Sequence, residues 1–467
     1  MNRESRNLKY PALFLVGAGV FLSTMDSSMV NVALPFIMGK FGTTLLKTQW
    51  VVLIYLLSIT VTLLFWGIVA DYWGRYRTYF TGIGVFVAAS IGCSIAPSLF
   101  SLIVLRFVEG LGAAMMMAAG PTIIRDVFPR NQLGTGLGLV GIATSAGLMS
   151  GPVVGGFLIS LFSWRMIFLV SVPVGLLIIT LGLFNRNRRP CTQTVPKQFF
   201  DWKGAVMWAL LITSLVLYGN FLPAFSLFWK LAGGAWLGIV TILFYFAEKT
   251  RKSNILPLHL FPKSYYHIGL ITSSLSFASL FGVLVLMPFY LTYVKGLGAE
   301  MVGSVMMAVP LTLFIVSPTA GMLYDRMGSR YLTTLGLGIC TVSLLCLAVV
   351  DEHTRLPVIF AVLALLGMGQ SMFLAPNTAS LLSKIPEDDA GITSGLLATS
   401  RNLGMLMGAA SVSMVFSAWY GYFSSGGELA NYSALMDSVF ISSLRATMLC
   451  IAALSFCNVC ISWQRQN

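Results

Sequence analysis

Residues 50–77 read WVVLIYLLSITVTLLFWGIVADYWGRYR. Trp50 to Ala70 carries no charge, and at about 1.5 Å per residue a helix of that length crosses a ~30 Å hydrocarbon core. Asp71, Arg75 and Arg77 then arrive together with Gly74, so the apolar run ends where water begins. The same ending returns later. Gly67-Ile-Val-Ala-Asp71-Tyr-Trp-Gly74-Arg75 closes this stretch, and Gly321-Met-Leu-Tyr-Asp325-Arg326-Met-Gly328-Ser-Arg330 closes another. Gly, Asp and Gly keep one spacing, and basic residues follow both times. A span closed twice by one motif points to a duplicated, helical membrane protein.

Outward from this stretch, apolar segments of similar length recur along the whole chain. Fourteen spans are expected, near 11–36, 48–70, 78–96, 99–121, 134–160, 166–184, 204–222, 230–247, 267–293, 300–323, 332–350, 357–382, 391–418 and 442–463. Of 467 residues, 57% are hydrophobic and 10% charged, with a mean hydropathy of +0.84. Soluble domains carry roughly 25% charged residues. No polar block is long enough to fold as a soluble domain of ~100 residues, so the fold class is all-α and polytopic. Six spans precede the longest basic connection, Asn185–Phe200. The expected organisation is an N-terminal six-helix half (1–184), a basic linker with two inserted helices (185–265), and a C-terminal six-helix half (266–467).

The net charge of +13 reports topology, and nucleic acid is not expected as a partner. With the N-terminus in the cytoplasm, 20 of the 29 Lys and Arg fall on that side and seven on the other. Arg106 and Arg401 fall inside spans. This is the positive-inside bias, which places both termini in the cytoplasm of a plasma membrane, here a bacterial inner membrane. Arg3, Arg6 and Lys9 precede an apolar run that is too long for a signal peptide and contains Asp26, so it reads as a retained first span. The seven cysteines suggest no disulfide framework, and Cys457-x-x-Cys460 reads as packing. His259, His267 and His353 lie in or beside loops, so no metal is expected. No P-loop occurs, so an ion gradient is the expected energy source and no cofactor is needed.

Several segments together resemble the major facilitator superfamily, and within it the fourteen-helix drug:proton antiporter-2 family. Asp26-Ser-Ser-Met-Val-Asn31-Val-Ala-Leu-Pro35 is similar to that family's first-helix signature. Gly67 to Arg77 is similar to the superfamily's loop signature, with Tyr72 where Arg is usual. Arg106-Phe-Val-Glu109-Gly110-Leu-Gly112 resembles the fourth-helix motif, with Glu109 where Gln is common. Gly147-Leu-Met-Ser-Gly151-Pro152-Val-Val-Gly155-Gly156 resembles the antiporter motif of the fifth helix. Trp164-Arg165-Met-Ile-Phe168 and Phe200-Asp201-Trp202-Lys-Gly204 match two further family-typical stretches. The resemblance runs from about Leu22 to Val415, and it implies two six-helix halves, plus two central helices, that alternate access to a central cavity.

Only four charges lie well inside the spans: Asp26, Arg106, Glu109 and Arg401. An ionisable group at that depth is costly and marks a functional hypothesis. Asp26 and Glu109 each lie ten residues, about 15 Å, from the outer ends of their spans. Arg106 shares a helix face with Glu109 at i,i+3 spacing. In the resembling fold both helices line the cavity, so Asp26, Glu109 and Arg106 are the expected proton-coupling group, against the alternative of a static ion pair. Asn31, Trp66, Tyr290, Gln370, Asn377 and Arg401 are candidates for the substrate cavity. Gly67, Asp71, Gly74, Arg75 and Asp325 are candidates for a conformational latch. Gly147, Gly151 and Gly155 form a bare stripe beside the helix-bending Pro152, and are candidates for a contact that opens and closes.

These features together read as a secondary active transporter, proton-coupled and exporting small amphipathic solutes, and a monomer. Uptake or lipid translocation on the same scaffold is the alternative within transport. An enzyme would need convergent Ser/His, metal or paired catalytic groups inside the spans, and none occurs; a sensor would need a soluble output domain. The four buried charges balance to zero, so neutral, zwitterionic or weakly anionic substrates are expected ahead of dications.

Overall fold

The structure is a computed structural model that describes residues 3–128, 133–184, 202–221, 227–249, 260–385 and 390–465. Every expected span has its helix: α1 (Arg3–Phe41), α2 (Trp50–Trp73), α3 (Arg75–Ser94), α4 (Leu99–Val127), α5 (Leu133–Leu161), α6 (Ser171–Phe184) and α7 (Trp202–Phe221). These are followed by α8 (Leu227–Lys249), α9 (Ser264–Tyr293), α10 (Ala308–Met327), α11 (Ser329–Leu347), α12 (Leu356–Ser383), α13 (Ala390–Phe423) and α14 (Asp437–Trp463). Short helices lead into three of them: Leu45–Thr48 into α2, Met166–Leu169 into α6 and Ala299–Met306 into α10. Among the described residues there is no strand. With no water in a bilayer core, helices satisfy every backbone group internally.

The two copies of the quoted motif form the same turn. Gly74 separates α2 from α3 at φ +105°, and Gly328 separates α10 from α11 at φ +75°. Side chains rarely adopt those angles, so glycine is what allows two helices to abut without a loop.

The duplication extends into the packing. Gly82 of α3 and Gly112 of α4 face each other, so that a β-carbon on Gly112 would come within 2.6 Å of the Gly82 carbonyl. Gly336 of α11 and Gly369 of α12 face each other in the same way at 2.6 Å. Gly110 brings α4 against Tyr55 and Ser58 of α2, and Gly367 brings α12 against Val309 and Thr312 of α10. Gly147 and Gly151 seat α5 on Phe21 and Met25 of α1, and Gly404 and Gly408 seat α13 on Ser274 and Ala278 of α9. Each glycine recurs 254 to 257 residues later. Small residues let backbones approach closely where lipid offers no hydrophobic drive. The inserted pair lies beside this body: Trp208 of α7 donates to the Thr60 carbonyl of α2 at 3.3 Å, and Trp236 of α8 donates to Ser214 of α7.

α1 begins and α14 ends at one face, here called proximal; the opposite face is distal. Towards the distal face the two repeats touch. Pro152 and Gly156 of α5 meet Ala299 and Gly303 of the Ala299–Met306 helix, and a β-carbon on Gly303 would clash with the Pro152 carbonyl. Nearer the proximal face, Gly67 and Gly321 have open space where a side chain would be.

Candidate functional site

Asp26, Arg106 and Glu109 come together inside the first repeat. Arg106 Nη1 donates to Asp26 Oδ2 at 2.6 Å and to Glu109 Oε2 at 2.8 Å. All three residues are 0% exposed. Four helices build the group. α2 supplies the Val51 carbonyl, which accepts from Arg106 Nε at 3.2 Å, and the Tyr55 ring, 4.1 Å from the guanidinium carbon. α3 supplies Ser90, whose hydroxyl donates to Glu109 Oε1 at 2.6 Å, and Cys93, whose thiol lies 3.5 Å from Glu109 Oε2. Gly110 and Gly112 draw α2 and α3 onto α4 immediately beside the trio, which is why these partners reach it. Asp26 Oδ1 and Arg106 Nη2 have no hydrogen-bond partner. One guanidinium therefore holds two carboxylates, one anchored by a hydroxyl and one with a free oxygen.

The packing correspondence shows what occupies these places in the second repeat. Gly110 and Gly112 map onto Gly367 and Gly369, so Arg106 and Glu109 map onto Leu363 and Leu366. Met25 and Ala278 receive equivalent glycines, so Asp26 maps onto Ser279. Leu363, Leu366 and Ser279 are buried as well.

Among the described residues, no hydrogen bond joins the substrate-cavity candidates to one another. Asn31 is buried with its Oδ1 unpartnered, and Trp66 is half-buried with a free Nε1. The Tyr290 hydroxyl donates to the Asp351 carbonyl at 2.7 Å, tying α9 to the connection between α11 and α12. In that connection the Thr354 hydroxyl holds the Asp351 carboxyl below the usual carboxylate range. Gln370 accepts from Ser276 at 2.7 Å, and its Nε2 has no partner. Asn377 donates to the Gly269 carbonyl at 3.0 Å and accepts from Arg465 Nη1 at 2.7 Å. Arg401 Nη2 donates to Thr378 Oγ1 at 2.6 Å.

At the latch, Arg75 binds Asp71 at 2.9 Å and also pairs with Asp126 at the end of α4. Asp126 sits beside Arg125 in the sequence and passes there for a loop charge. The Asp325 side chain lies outside the described residues. The Gly147–Gly151–Gly155 stripe lies on Phe21, Thr24, Met25, Ser28 and Met29 of α1, within one repeat. On the next face of α5, Pro152 and Gly156 meet the second repeat. Spacing identifies the bare face but not the helix that covers it.

Arg465 differs from its expected place. The charge count puts it among the solvated proximal residues, but it folds back past the end of α14 and is 1% exposed. Burial pushes its guanidinium down to about 10.

Residues 16–409 match the family model described as Major Facilitator Superfamily. The chain is similar to the "Riboflavin transporter RibZ" of Clostridioides difficile, with 32% identity over 88% of each chain. It is also similar to the "Multidrug resistance protein Stp" of Mycobacterium tuberculosis, with 29% identity over 87% of this chain and 76% of that one. Its fold resembles a bacterial homolog of the human lysosomal transporter Spinster in an inward-facing and unoccupied conformation. That match has a TM-score of 0.71 and 15% identity, and covers 100% of this chain and 98% of the other.

Proposed function

We propose that this chain, which belongs to the Major Facilitator Superfamily, is a proton-coupled exporter of small amphipathic solutes. It is a multi-pass membrane transporter acting on small molecules and not an enzyme. The observation that carries the coupling is the occupancy of matching positions. The second repeat achieves the same helix packing with Ser279, Leu363 and Leu366, so the fold does not require charge at these places. A buried ion triad is a costly choice where apolar residues suffice. A guanidinium shared by two carboxylates supports reversible protonation, because taking up a proton on one acid leaves the other still paired.

Exchange then follows from alternating access. Repeats packed at the distal ends, with space beside Gly67 and Gly321, support a reading in which the proximal face is the open one. The positive-inside bias makes that face cytoplasmic, with both termini there. Inward proton movement through Asp26 and Glu109 would be exchanged for an outgoing solute, with the Asp71–Arg75–Asp126 latch restraining α2, α3 and α4. The unit is taken as a monomer in a bacterial inner membrane, needing no cofactor beyond the proton gradient.

A second reading, transport of a vitamin-sized heteroaromatic, is favoured by the relative named as a riboflavin transporter. The test of both is reconstitution in proteoliposomes with an imposed pH gradient and a panel that includes riboflavin and several lipophilic drugs. Export of panel compounds that collapses with the gradient supports the antiport reading. Transport indifferent to the gradient sinks it. Orientation is checked by cysteine labelling: residues introduced in the Ala418–Ser438 segment should react from outside, and those in 186–197, outside the described residues, only from the cytoplasm.

A further inference from the structure

Among the described residues, the second repeat holds two cations that have no ion-pair partner. Among the described residues the ion pairs involve Arg75, Arg106 and His353, and neither Arg401 nor Arg465 has an acidic partner. Arg401 of α13 is half-buried, with its guanidinium carbon 5.9 Å from the Phe277 ring of α9. Among the described residues its one side-chain hydrogen bond is to Thr378, and its Nε has no partner. Arg465 binds Asn377, and its Nε and Nη2 have none. Asn377 and Thr378 are consecutive, so two guanidiniums flank a single turn of α12. Gln370 Nε2 and Asn402 Nδ2 are further donors without a partner, and Asn458 Oδ1 is an acceptor without one.

Arginines in a membrane helix can be spent on backbone carbonyls, and the bonds made by these two go to side chains instead. A buried cation without a counter-charge is strongly unfavourable, and free donors in a low dielectric add to the cost. A planar anion supplies both what is missing and the geometry a guanidinium fits. In the first repeat two acids hold Arg106, whereas among the described residues of the second repeat Arg401 and Arg465 have no acid beside them.

We propose that Arg401 and Thr378 bind an anionic group, a carboxylate or phosphate, on the transported solute, with Arg465 acting behind Asn377 as a positioning charge. This rests on the exporter reading and names its substrate class: amphipaths with one anionic end, with dications disfavoured by repulsion.

The test is equilibrium binding to the full chain in phosphatidylcholine nanodiscs, using 2-naphthylacetate, 2-naphthylethanol and (2-naphthylmethyl)trimethylammonium as matched probes. The carboxylate should bind about ten-fold or more tighter than the alcohol, the scale of a charged hydrogen bond, and the ammonium weakest. Arg401→Gln should abolish that preference and Arg465→Gln should reduce it, with a cooperative thermal melt of each variant showing that it is folded. Equal binding of acid and alcohol to the unaltered protein, or a preference that survives Arg401→Gln, would overturn the proposal. So would a preference that disappears when phosphatidylglycerol is added to the nanodiscs, because the site would then belong to a lipid headgroup. Proton-driven movement of the alcohol, followed separately in proteoliposomes, reports on coupling alone, so the exporter reading can survive loss of the anion site.

Discussion

The two repeats solve one packing problem with opposite chemistry. Gly82–Gly112 and Gly336–Gly369 make matching helix contacts, and Gly110 and Gly367 seat matching pairs. Between those contacts the first repeat buries Asp26, Arg106 and Glu109, and the second buries Ser279, Leu363 and Leu366. Steric demands are alike, so the difference in charge is not a product of the fold. The repeats also differ in what is left over: the first neutralises its cation twice, whereas in the second Arg401 and Arg465 have no acidic partner among the described residues. The proposed proton site and the proposed solute site thereby fall in different halves of a duplicated frame.

The sharpest way to break this comparison is to give the first repeat the second repeat's residues. The triple variant Asp26→Ser, Arg106→Leu, Glu109→Leu should fold, with a melting temperature unchanged or raised, because well-packed apolar groups commonly replace buried ion triads at no net cost. Its gradient-driven transport in proteoliposomes should fall to background. Asp26→Asn and Glu109→Gln keep size and remove ionisation, and at least one should give the same loss while solute binding stays measurable. Normal pumping by the triple variant would show the trio to be a static device.

Arg106→Leu alone is expected to behave differently. It strands two buried carboxylates and should lower unfolding stability by about 3–5 kcal/mol, measured by thermal or denaturant melts, where the triple variant does not. The glycines then test whether the repeats are sterically equal. Gly110→Ala and Gly367→Ala push a β-carbon into α2 and α10 respectively, and each should cost about 1–3 kcal/mol. A large cost in one repeat and none in the other would mean that the correspondence is only superficial.

The smallest effect is expected at Arg465. Its guanidinium is pushed down to about 10 by burial, so at neutral pH its charge is carried at a cost that eases only as pH rises through that value. Arg465→Gln keeps a donor for Asn377 and removes the charge, so the melting temperature at pH 7 should stay level or rise slightly. A marked fall would show a counter-charge holding Arg465 in the folded protein.

Much of the fold is legible in the sequence, because lipid imposes span length and the repeated Gly-Asp-Gly ending marks the duplication. The trio is legible by depth: Asp26, Arg106 and Glu109 are rare charges at one level of the membrane. Its supporting partners are not. Ser90, Cys93 and the Val51 carbonyl are ordinary residues in a span, and only the approach of α2 and α3 through Gly110 and Gly112 brings them near. Arg465 is misleading for a related reason. A basic residue just past a helix end counts as topological until the chain is seen to turn back under α12. Tyr290 shows the limit for aromatics, since nothing in its sequence context points to a carbonyl 61 residues away.

The complete enclosure of the trio has a consequence in time. With no exposed surface on Asp26, Arg106 or Glu109, a proton can neither arrive nor depart while these four helices keep this arrangement. Each protonation event must wait for α1 to α4 to rearrange, and collective helix motions of that kind occur over microseconds to milliseconds. In the proposed exchange, the interval between proton movements would be set by the same movement that carries the solute. A leak would require the helices to part without a transport cycle. Under that proposal, closely seated glycines would make such an excursion infrequent and would tie proton movement to solute movement in time.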